Sequence, residues 1–397
     1  MSMRPLFLKH NAQTSPSPLL LEVDHALGCF LFDTSGKRYF DMISGIAVSS
    51  LGHGQTKVID AITSQAHKHL HVMVYGELIQ STQVLLAQKL CSLLPPTLSS
   101  VYFVNSGSEA IEGALKLAKR ATGRPNIVSF EKAYHGSTLG ALSLGSEEWM
   151  KGAFRPLPPG IKHLPFNDVE ALQEIDQHTA CVVIEPIQGE AGVRIPSPGF
   201  LDRLRKRCSE TGALLVFDEI QTGMGRTGKN FCFEHEGVTP DILCLGKALG
   251  AGMPLGAFIA SSSLMHELTH DPVLGHITTF GGHPVCCAAA LAGISILEEE
   301  NVVAQIPTKE RLFKKLLVHP IIKELRSKGL MIALDIGDAA LVQRILHLAL
   351  INGLLADWFL YADDCIRLAP PLIISEKEIQ ESCTLLLACI DEAIQTP

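Results

Sequence analysis

Asp218 closes the apolar run Leu214-Leu215-Val216-Phe217, and downstream Lys247 stands alone among small residues in Leu-Gly-Lys-Ala-Leu-Gly. A lysine amine can condense with an aldehyde to form a Schiff base, and a carboxylate can keep a pyridine nitrogen protonated so that the ring accepts electrons. Pyridoxal phosphate is the cofactor that needs both groups. Each residue also has an ordinary reading, the aspartate as a cap or turn residue and the lysine as a solvated surface group. The pairing of the two favours the cofactor.

The elements that must position them can be read from the apolar runs. Leu214-Asp218 has the continuous apolar character of a strand buried on both faces of a parallel sheet, with Asp218 at its carboxyl end, where open α/β sheets bind ligands. Lys247 follows a second such run, Asp241-Ile242-Leu243-Cys244-Leu245, between Gly246 and Gly250, which let a bulky ring approach the backbone. From about Ser99 to Ala260 strand-like runs alternate with helix-like segments, predicting βα units and a mostly parallel sheet. The predicted strands are Ser100-Val104, Asn126-Phe130, Ala180-Glu185, Leu214-Asp218, Ile242-Leu245 and Gly256-Ala260; predicted helices include Ser108-Thr122, Gly199-Thr211 and Pro284-Glu300. Asn105-Ser106-Gly107-Ser108-Glu109 carries turn and capping residues just before the first helix. It reads as an N-cap turn whose free amides would also suit a phosphate.

Composition narrows the class. The chain has 397 residues, 47% hydrophobic and 19% charged, with a net charge of -8, as expected of a globular protein with a large core. No basic stripe is present, so the expected partners are small molecules rather than nucleic acid. The most apolar long stretch, Ile345 to Leu360, is broken by His347, Asn352 and Asp357, and no segment is expected to span a membrane. The start lacks a signal's apolar core, which places the expected location in the cytoplasm. Eleven scattered cysteines without CxxC spacing read as reduced core thiols, with no metal site expected. A more charged region from Thr308 to Lys328 marks the entrance to a smaller carboxy-terminal domain. The expected organisation is an amino-terminal segment over 1–50, with strands in Leu19-Asp41 packing on the small domain, a large cofactor domain over 51–300 and a small domain over 301–397.

Gly223-Met-Gly225-Arg-Thr-Gly228 matches the dinucleotide fingerprint. That fingerprint should open a helix, yet the residues after Gly228 show no helical period and no acidic strand end follows at the expected distance. The nicotinamide reading is set aside.

Six ordered motifs, Asn105-Ser-Gly-Ser-Glu-Ala, Tyr134-His135-Gly136, Glu185-Pro-Ile-Gln-Gly-Glu190, Asp218-Glu-Ile-Gln221-Thr-Gly, Leu-Gly-Lys247-Ala-Leu-Gly and Thr278-Thr279-Phe-Gly-Gly, resemble those of the class III pyridoxal-phosphate aminotransferases, closest to the acetylornithine and ornithine branch. The resemblance runs from Asp33 to about Glu378. It implies fold type I of the pyridoxal-phosphate enzymes, the aspartate aminotransferase-like α/β fold, with a large domain around a mostly parallel sheet and a smaller α+β domain. It makes Lys247 the Schiff-base lysine and proton shuttle, and Asp218 the partner of the pyridinium nitrogen. Gln221 would lie near the phenolic oxygen, Tyr134 would stack on the ring, and His135 and Glu185 would belong to the cofactor's surroundings. Ser106, Gly107 and Ser108 would hold the phosphate, joined by Thr279 from a neighbouring subunit, which implies a homodimer with active sites at the interface. Without the resemblance, Tyr134 reads equally as a core aromatic and Thr279 as a β-branched strand residue. The glycine turn Gly223–Gly228 would become part of the site's loop.

By the same resemblance Arg367 reads a substrate carboxylate through its bidentate fork and Glu190 masks that charge when the other substrate binds. The implied reaction moves a terminal amino group from an ornithine-like, N-acetylornithine-like or other ω-amino donor to 2-oxoglutarate. Two positions depart from the pattern. Ser137 stands where the branch has an arginine for a second carboxylate, and His283 where asparagine is usual. Serine there resembles ω-amine, 4-aminobutyrate or diaminopelargonate-type transaminases, and an aminomutase or racemase of the same fold would use the same lysine and acid. A binding protein that had lost catalysis is disfavoured by the intact lysine, acid and tyrosine.

Overall fold

The computed structural model describes residues 2–74 and 76–395. Three short strands, β1 (Val23–Leu27), β2 (Phe30–Asp33) and β3 (Arg38–Asp41), pair antiparallel near the start of the chain. The apolar runs of the middle pair into a seven-stranded sheet of β4 (Ser100–Val104), β5 (Asn126–Phe130), β6 (Ile161–Leu164), β7 (Thr179–Ile184), β8 (Leu214–Asp218), β9 (Ile242–Leu245) and β10 (Gly256–Ala260), in the order β4-β10-β9-β8-β7-β5-β6. β10 runs against both its neighbours and the remaining pairs are parallel. Every residue of β7, β9 and β10 is buried, as unbroken apolar runs require of strands covered on both faces.

Five of the six expected strands have the expected bounds, and β7 is shifted by one residue at each end. β6 was not expected. It is an edge strand whose Lys162 is exposed and whose His163 is half-buried, so its pattern is too polar and too short to stand out.

Helix Gly107–Thr122 places Ala110, Ile111, Ala114, Leu115, Leu117 and Ala118 in the core at helical spacing. Gly113 lies so close to the sheet that a Cβ there would come within 2.3 Å of the Phe258 ring. Helix Pro284–Glu299 starts on a proline, with the His283 ring accepting from the Val285 amide at 3.3 Å. It is buried over most of its length and packs on helices Thr56–Lys68 and Ser81–Ser92 and on the turn Lys247–Gly250. The helix therefore braces the segment that carries Lys247.

The carboxy-terminal region adds β11 (Glu324–Lys328), β12 (Met331–Asp335), β13 (Leu354–Leu355), β14 (Asp357–Phe359) and β15 (Ala362–Leu368). Four of these form an antiparallel sheet, β11-β12-β15-β14, while β13 pairs in parallel with β3 and so joins the amino-terminal strands to this region. The apolar stretch Ile345 to Leu360 is shared between the end of helix Ala339–Asn352, β13 and β14.

The glycine turn Gly223–Gly228 opens no α-helix and runs on to a single 3-10 turn, Cys232–His235. Its expected place in the site's loop is corrected by the structure. Thr222 lines the central cavity, whereas Gly225 faces Val303 and Leu372, and Gly228 faces Pro307. Between them the wholly buried Arg226 donates to the carbonyls of Leu330 (3.1 Å) and Pro370 (2.6 Å) and to the Ser50 hydroxyl (3.0 Å). Burial lowers the Arg226 pKa to about 9. The turn ties the amino-terminal segment, the central sheet and the carboxy-terminal region together through one guanidinium.

Candidate active site

A cavity opens beyond the carboxyl end of β8, lined by Ser106, Gly107, Ser108, Tyr134, His135, Glu185, Glu190, Asp218, Gln221 and Lys247. Sheet geometry accounts for the meeting point. Parallel strands β7 and β8 deliver Glu185 and Asp218 at adjacent ends, and the loop after β5 brings in Tyr134 and His135.

Asp218 is buried, with one oxygen accepting from the Ile220 amide at 3.0 Å and the other from His135 Nδ1 at 2.7 Å. Burial alone would push the His135 imidazole down, but the hydrogen bond and the charge of Asp218 hold its pKa above the ordinary value. The other ring nitrogen, Nε2, is buried and has no hydrogen-bond partner among the described residues. Glu185 accepts from the amides of Tyr134 (3.1 Å) and Gly189 (3.0 Å), while burial raises its pKa to about 7.

Lys247 follows β9 with φ at 47°, in the left-handed region that a side chain rarely takes. Burial lowers its amine's pKa, only partly offset by the surrounding carboxylates. Close passage of two backbones sets this up: a Cβ on Gly246 would stand 3.3 Å from Gly107 Cα, and one on Gly107 would press on Ile220 at 2.8 Å. The start of helix Gly107–Thr122 thus lies against the lysine segment. Ser106 caps that helix, its hydroxyl accepting from the Glu109 amide at 3.2 Å, and leaves the first amides turned outward.

A loop anchored from below carries Tyr134 to Ser137. Gly136 has φ at 127°, and a Cβ there would fall 2.1 Å from the Ser108 hydroxyl. Further along, Glu112 accepts from the Thr138 hydroxyl and from the amides of Gly140 (2.9 Å) and Ala141 (3.2 Å). Nothing in the helical pattern around Glu112 points to this role.

Arg367, from β15, meets Glu190 in a bidentate pair at 2.7 and 2.9 Å, both side chains being buried. The guanidinium also donates from Nε to the Trp358 carbonyl at 3.1 Å and lies over the Phe359 ring. Glu190 additionally accepts from the Leu360 amide at 3.1 Å. Gln221 packs on Gly189, where a Cβ would meet its amide oxygen at 2.1 Å.

Two expected residues stand apart. Ser137 is exposed, outside the cavity wall, with its hydroxyl 3.3 Å from that of Tyr134. Thr279 is exposed, lies in a loop rather than a strand, and does not line the cavity of its own protomer; its carbonyl accepts from His71 Nε2 at 2.8 Å.

Glu219, beside Asp218, has no counterpart among the residues expected from the sequence. It is buried and accepts from the amides of Cys232 (2.5 Å) and Phe233 (2.7 Å), yet burial lifts its pKa to about 8. Glu185 and Glu219 therefore bind protons more readily in the folded chain than in the unfolded one. Their contribution is present below the ordinary pKa of 4.5 and lost as pH rises through about 7 to 8. The cofactor-free protein is expected to show a falling urea midpoint between pH 5.5 and 8, and Glu219→Gln to flatten that fall; equal slopes in both proteins would contradict it.

The donor set fits pyridoxal phosphate. It offers an amine with a lowered pKa, a braced carboxylate, a capped helix start with free amides and a neighbouring surface on which Gly107, Gly136 and Gly246 leave no room for a Cβ.

Residues 11–390 match the family described as Aminotransferase class-III. The chain is 40% identical to the acetylornithine aminotransferase of Methanopyrus kandleri over 360 residues, covering 89% of this chain and 90% of that one. Among solved structures it superposes with a TM-score of 0.91 on the ornithine aminotransferase of Toxoplasma gondii, at 28% identity, over 99% of this chain and 94% of that one. It also superposes with a TM-score of 0.90 on the adenosylmethionine-8-amino-7-oxononanoate aminotransferase of Methanocaldococcus jannaschii, at 30% identity, over 98% and 99% of the two chains. The protein belongs to the class III aminotransferases, has their fold type I architecture, and is a transaminase whose cofactor is pyridoxal phosphate.

Proposed function

We propose that this transaminase takes a terminal amino group from an ω-amino donor, the class that contains ornithine and N-acetylornithine, and passes it to 2-oxoglutarate. The convergence of Lys247 and Asp218 on one cavity, with a buried Arg367–Glu190 pair at its side, carries the reading. The similarity to acetylornithine and ornithine aminotransferases supports the donor class.

When bound, pyridoxal phosphate supplies an aldehyde that captures the donor's nitrogen and a ring that accepts the electrons of the broken C–H bond. Lys247 Nζ, with its lowered pKa, takes the proton from the donor carbon and returns it. Asp218 would hold a proton on the ring nitrogen, and His135 keeps the carboxylate in place through the 2.7 Å bond. Tyr134, Gln221 and Glu185, which line the same cavity, would hold the ring, and Ser106, Gly107 and Ser108 would bind the phosphate at the helix start. Arg367 binds the oxo acid's carboxylate once Glu190 swings away, and Glu190 neutralises it while the donor is bound.

We further infer a homodimer in which Thr279 completes the partner's phosphate site. Leu70, Met73, Leu78, Ile79, Ile277 and Phe280 are all exposed, and Ile79 is 96% so; the last two flank Thr279 in sequence. Such apolar exposure is the mark of an interface. All eleven cysteines are free, and all but Cys91 are buried, which suits a reducing cytoplasm. No helix among the described residues is long and apolar enough to cross a membrane.

One observation favours a second reading within the class. Ser137, outside the cavity wall, offers a hydroxyl 3.3 Å from that of Tyr134 and no charge, as an enzyme acting on ω-amines without a second carboxylate would need. Varying an ω-amino donor against 2-oxoglutarate is expected to give the parallel reciprocal plots of a ping-pong reaction. Intersecting plots, or no amino transfer to 2-oxoglutarate from any ω-amino donor, would overturn the proposal.

A further inference from the structure

Thr279 and its neighbours are gripped from several sides within their own protomer. Upstream, the Tyr102 hydroxyl donates to the His276 carbonyl at 2.8 Å, and Asn105 Nδ2 donates to the Thr278 hydroxyl at 3.0 Å. Downstream, Gly281 lies so close to β4 that a Cβ there would come within 2.5 Å of the Phe103 carbonyl, and Gln83 donates to the Gly282 carbonyl. The Thr279 carbonyl itself accepts from His71 Nε2 at 2.8 Å. A carbonyl can only accept, so this nitrogen carries the proton.

The His71 ring is held in turn. It is half-buried, and its centroid lies 4.9 Å from that of Phe280 and 5.7 Å from that of His283. His283 caps helix Pro284–Glu299 through Nδ1. Burial together with His71 and His69 lowers the His283 pKa, which keeps this stacked ring neutral. A histidine at 283 thus gives His71 a flat ring to rest on, which an asparagine side chain could not.

What faces away from His71 is a set of donors. The amide and hydroxyl of Thr279 and the amide of Phe280 have no hydrogen-bond partner among the described residues. A peptide's carbonyl and the amide that follows it point in opposite directions. Drawing the Thr279 carbonyl onto His71 therefore turns the Phe280 amide the other way. A carbonyl oxygen facing a phosphate repels it, whereas amides and hydroxyls bind it.

We propose that His71 is a positioning residue for the cofactor's phosphate in the partner subunit. It holds Thr279 with the carbonyl turned away and the donors free, and so strengthens the grip on that phosphate. The inference rests on the homodimer reading above, in which Thr279 completes the partner's phosphate site.

The test titrates cofactor-stripped protein with pyridoxal phosphate and, separately, with pyridoxal, which lacks the phosphate. His71→Ala is expected to raise the Kd for pyridoxal phosphate about fivefold and to leave that for pyridoxal within about twofold of wild type. His71→Gln, whose amide places a donor where Nε2 stood, should restore the affinity for pyridoxal phosphate to within about twofold. Equal losses for both ligands would mark a merely structural role and overturn the proposal. Thr279→Ala is expected to raise the Kd for pyridoxal phosphate about tenfold. No loss there overturns the reading of Thr279 and this inference with it, whereas a loss there with none in His71→Ala overturns the inference alone. Hybrid dimers assign the direction. Beside a Lys247→Ala protomer, only the other protomer can join the cofactor covalently, and the absorbance of the joined cofactor reports on that one site. His71→Ala placed on the Lys247→Ala protomer should weaken the site, and His71→Ala placed on the protomer that keeps Lys247 should not; any other pattern overturns the proposal.

Discussion

Lys247→Ala is expected to lower turnover by about 10⁴-fold, because one amine supplies both the covalent anchor for the cofactor and the base that moves the proton. The two roles cannot be shared out, since the other side chains lining the cavity include no second amine. Folding should survive the change. Burial holds the amine's pKa down, so a charge there disfavours the folded chain, and removing the amine removes that penalty. The check is kcat together with borohydride reduction of the holoenzyme and peptide mapping. The wild-type peptide containing Lys247 should carry the mass of the reduced cofactor and the variant should carry none. A variant that keeps more than a few per cent of wild-type turnover would show that the chemistry has been placed on the wrong residue.

Asp218→Asn is expected to cut kcat by about 10³-fold, as loss of a preorganised charge at a reacting group does. The amide retains an oxygen that can accept from Ile220 or His135 but can no longer hold a proton on the ring nitrogen. Asp218→Ala should do further damage, because it strands the wholly buried His135 beside Glu185 with its Nδ1 unbonded. Breaking a buried charged pair from one side costs about 3–5 kcal/mol. The signature is the split between the two variants: a folded, cofactor-binding, slow Asn form and an Ala form with a lowered melting temperature. Equal activity in wild type and Asp218→Asn would remove the carboxylate from the mechanism.

Much of the site was legible in the sequence because parallel strands buried on both faces leave unbroken apolar runs. β8 and β9 end where the runs end, so the residue order alone puts Asp218 and Lys247 at strand ends. The helix from Gly107 was equally plain, its cap and its apolar spacing agreeing. What the sequence hid were pairings between distant segments. His135 and Asp218 are 83 positions apart and their pairing leaves no local pattern, while that of Arg367 and Glu190, 177 apart, was expected only through the family resemblance. Glu219 was given no role from the sequence and is the buried anchor of the turn at Cys232 and Phe233. The glycine turn resembled a phosphate loop because glycine marks tight backbone wherever it occurs. Here the tightness serves Arg226, whose guanidinium needs oxygen acceptors from three directions.

The most direct test of two-step amino transfer through Lys247 and Asp218 is a single-turnover experiment on the holoenzyme. The enzyme is treated with an excess of an ω-amino donor and no oxo acid, freed of donor by gel filtration, and then given 2-oxoglutarate. About one glutamate per active site is expected, formed in one burst, with one donor molecule consumed per site in the first step. Continuous conversion of the donor without any oxo acid, or no glutamate after the second addition, would contradict the account.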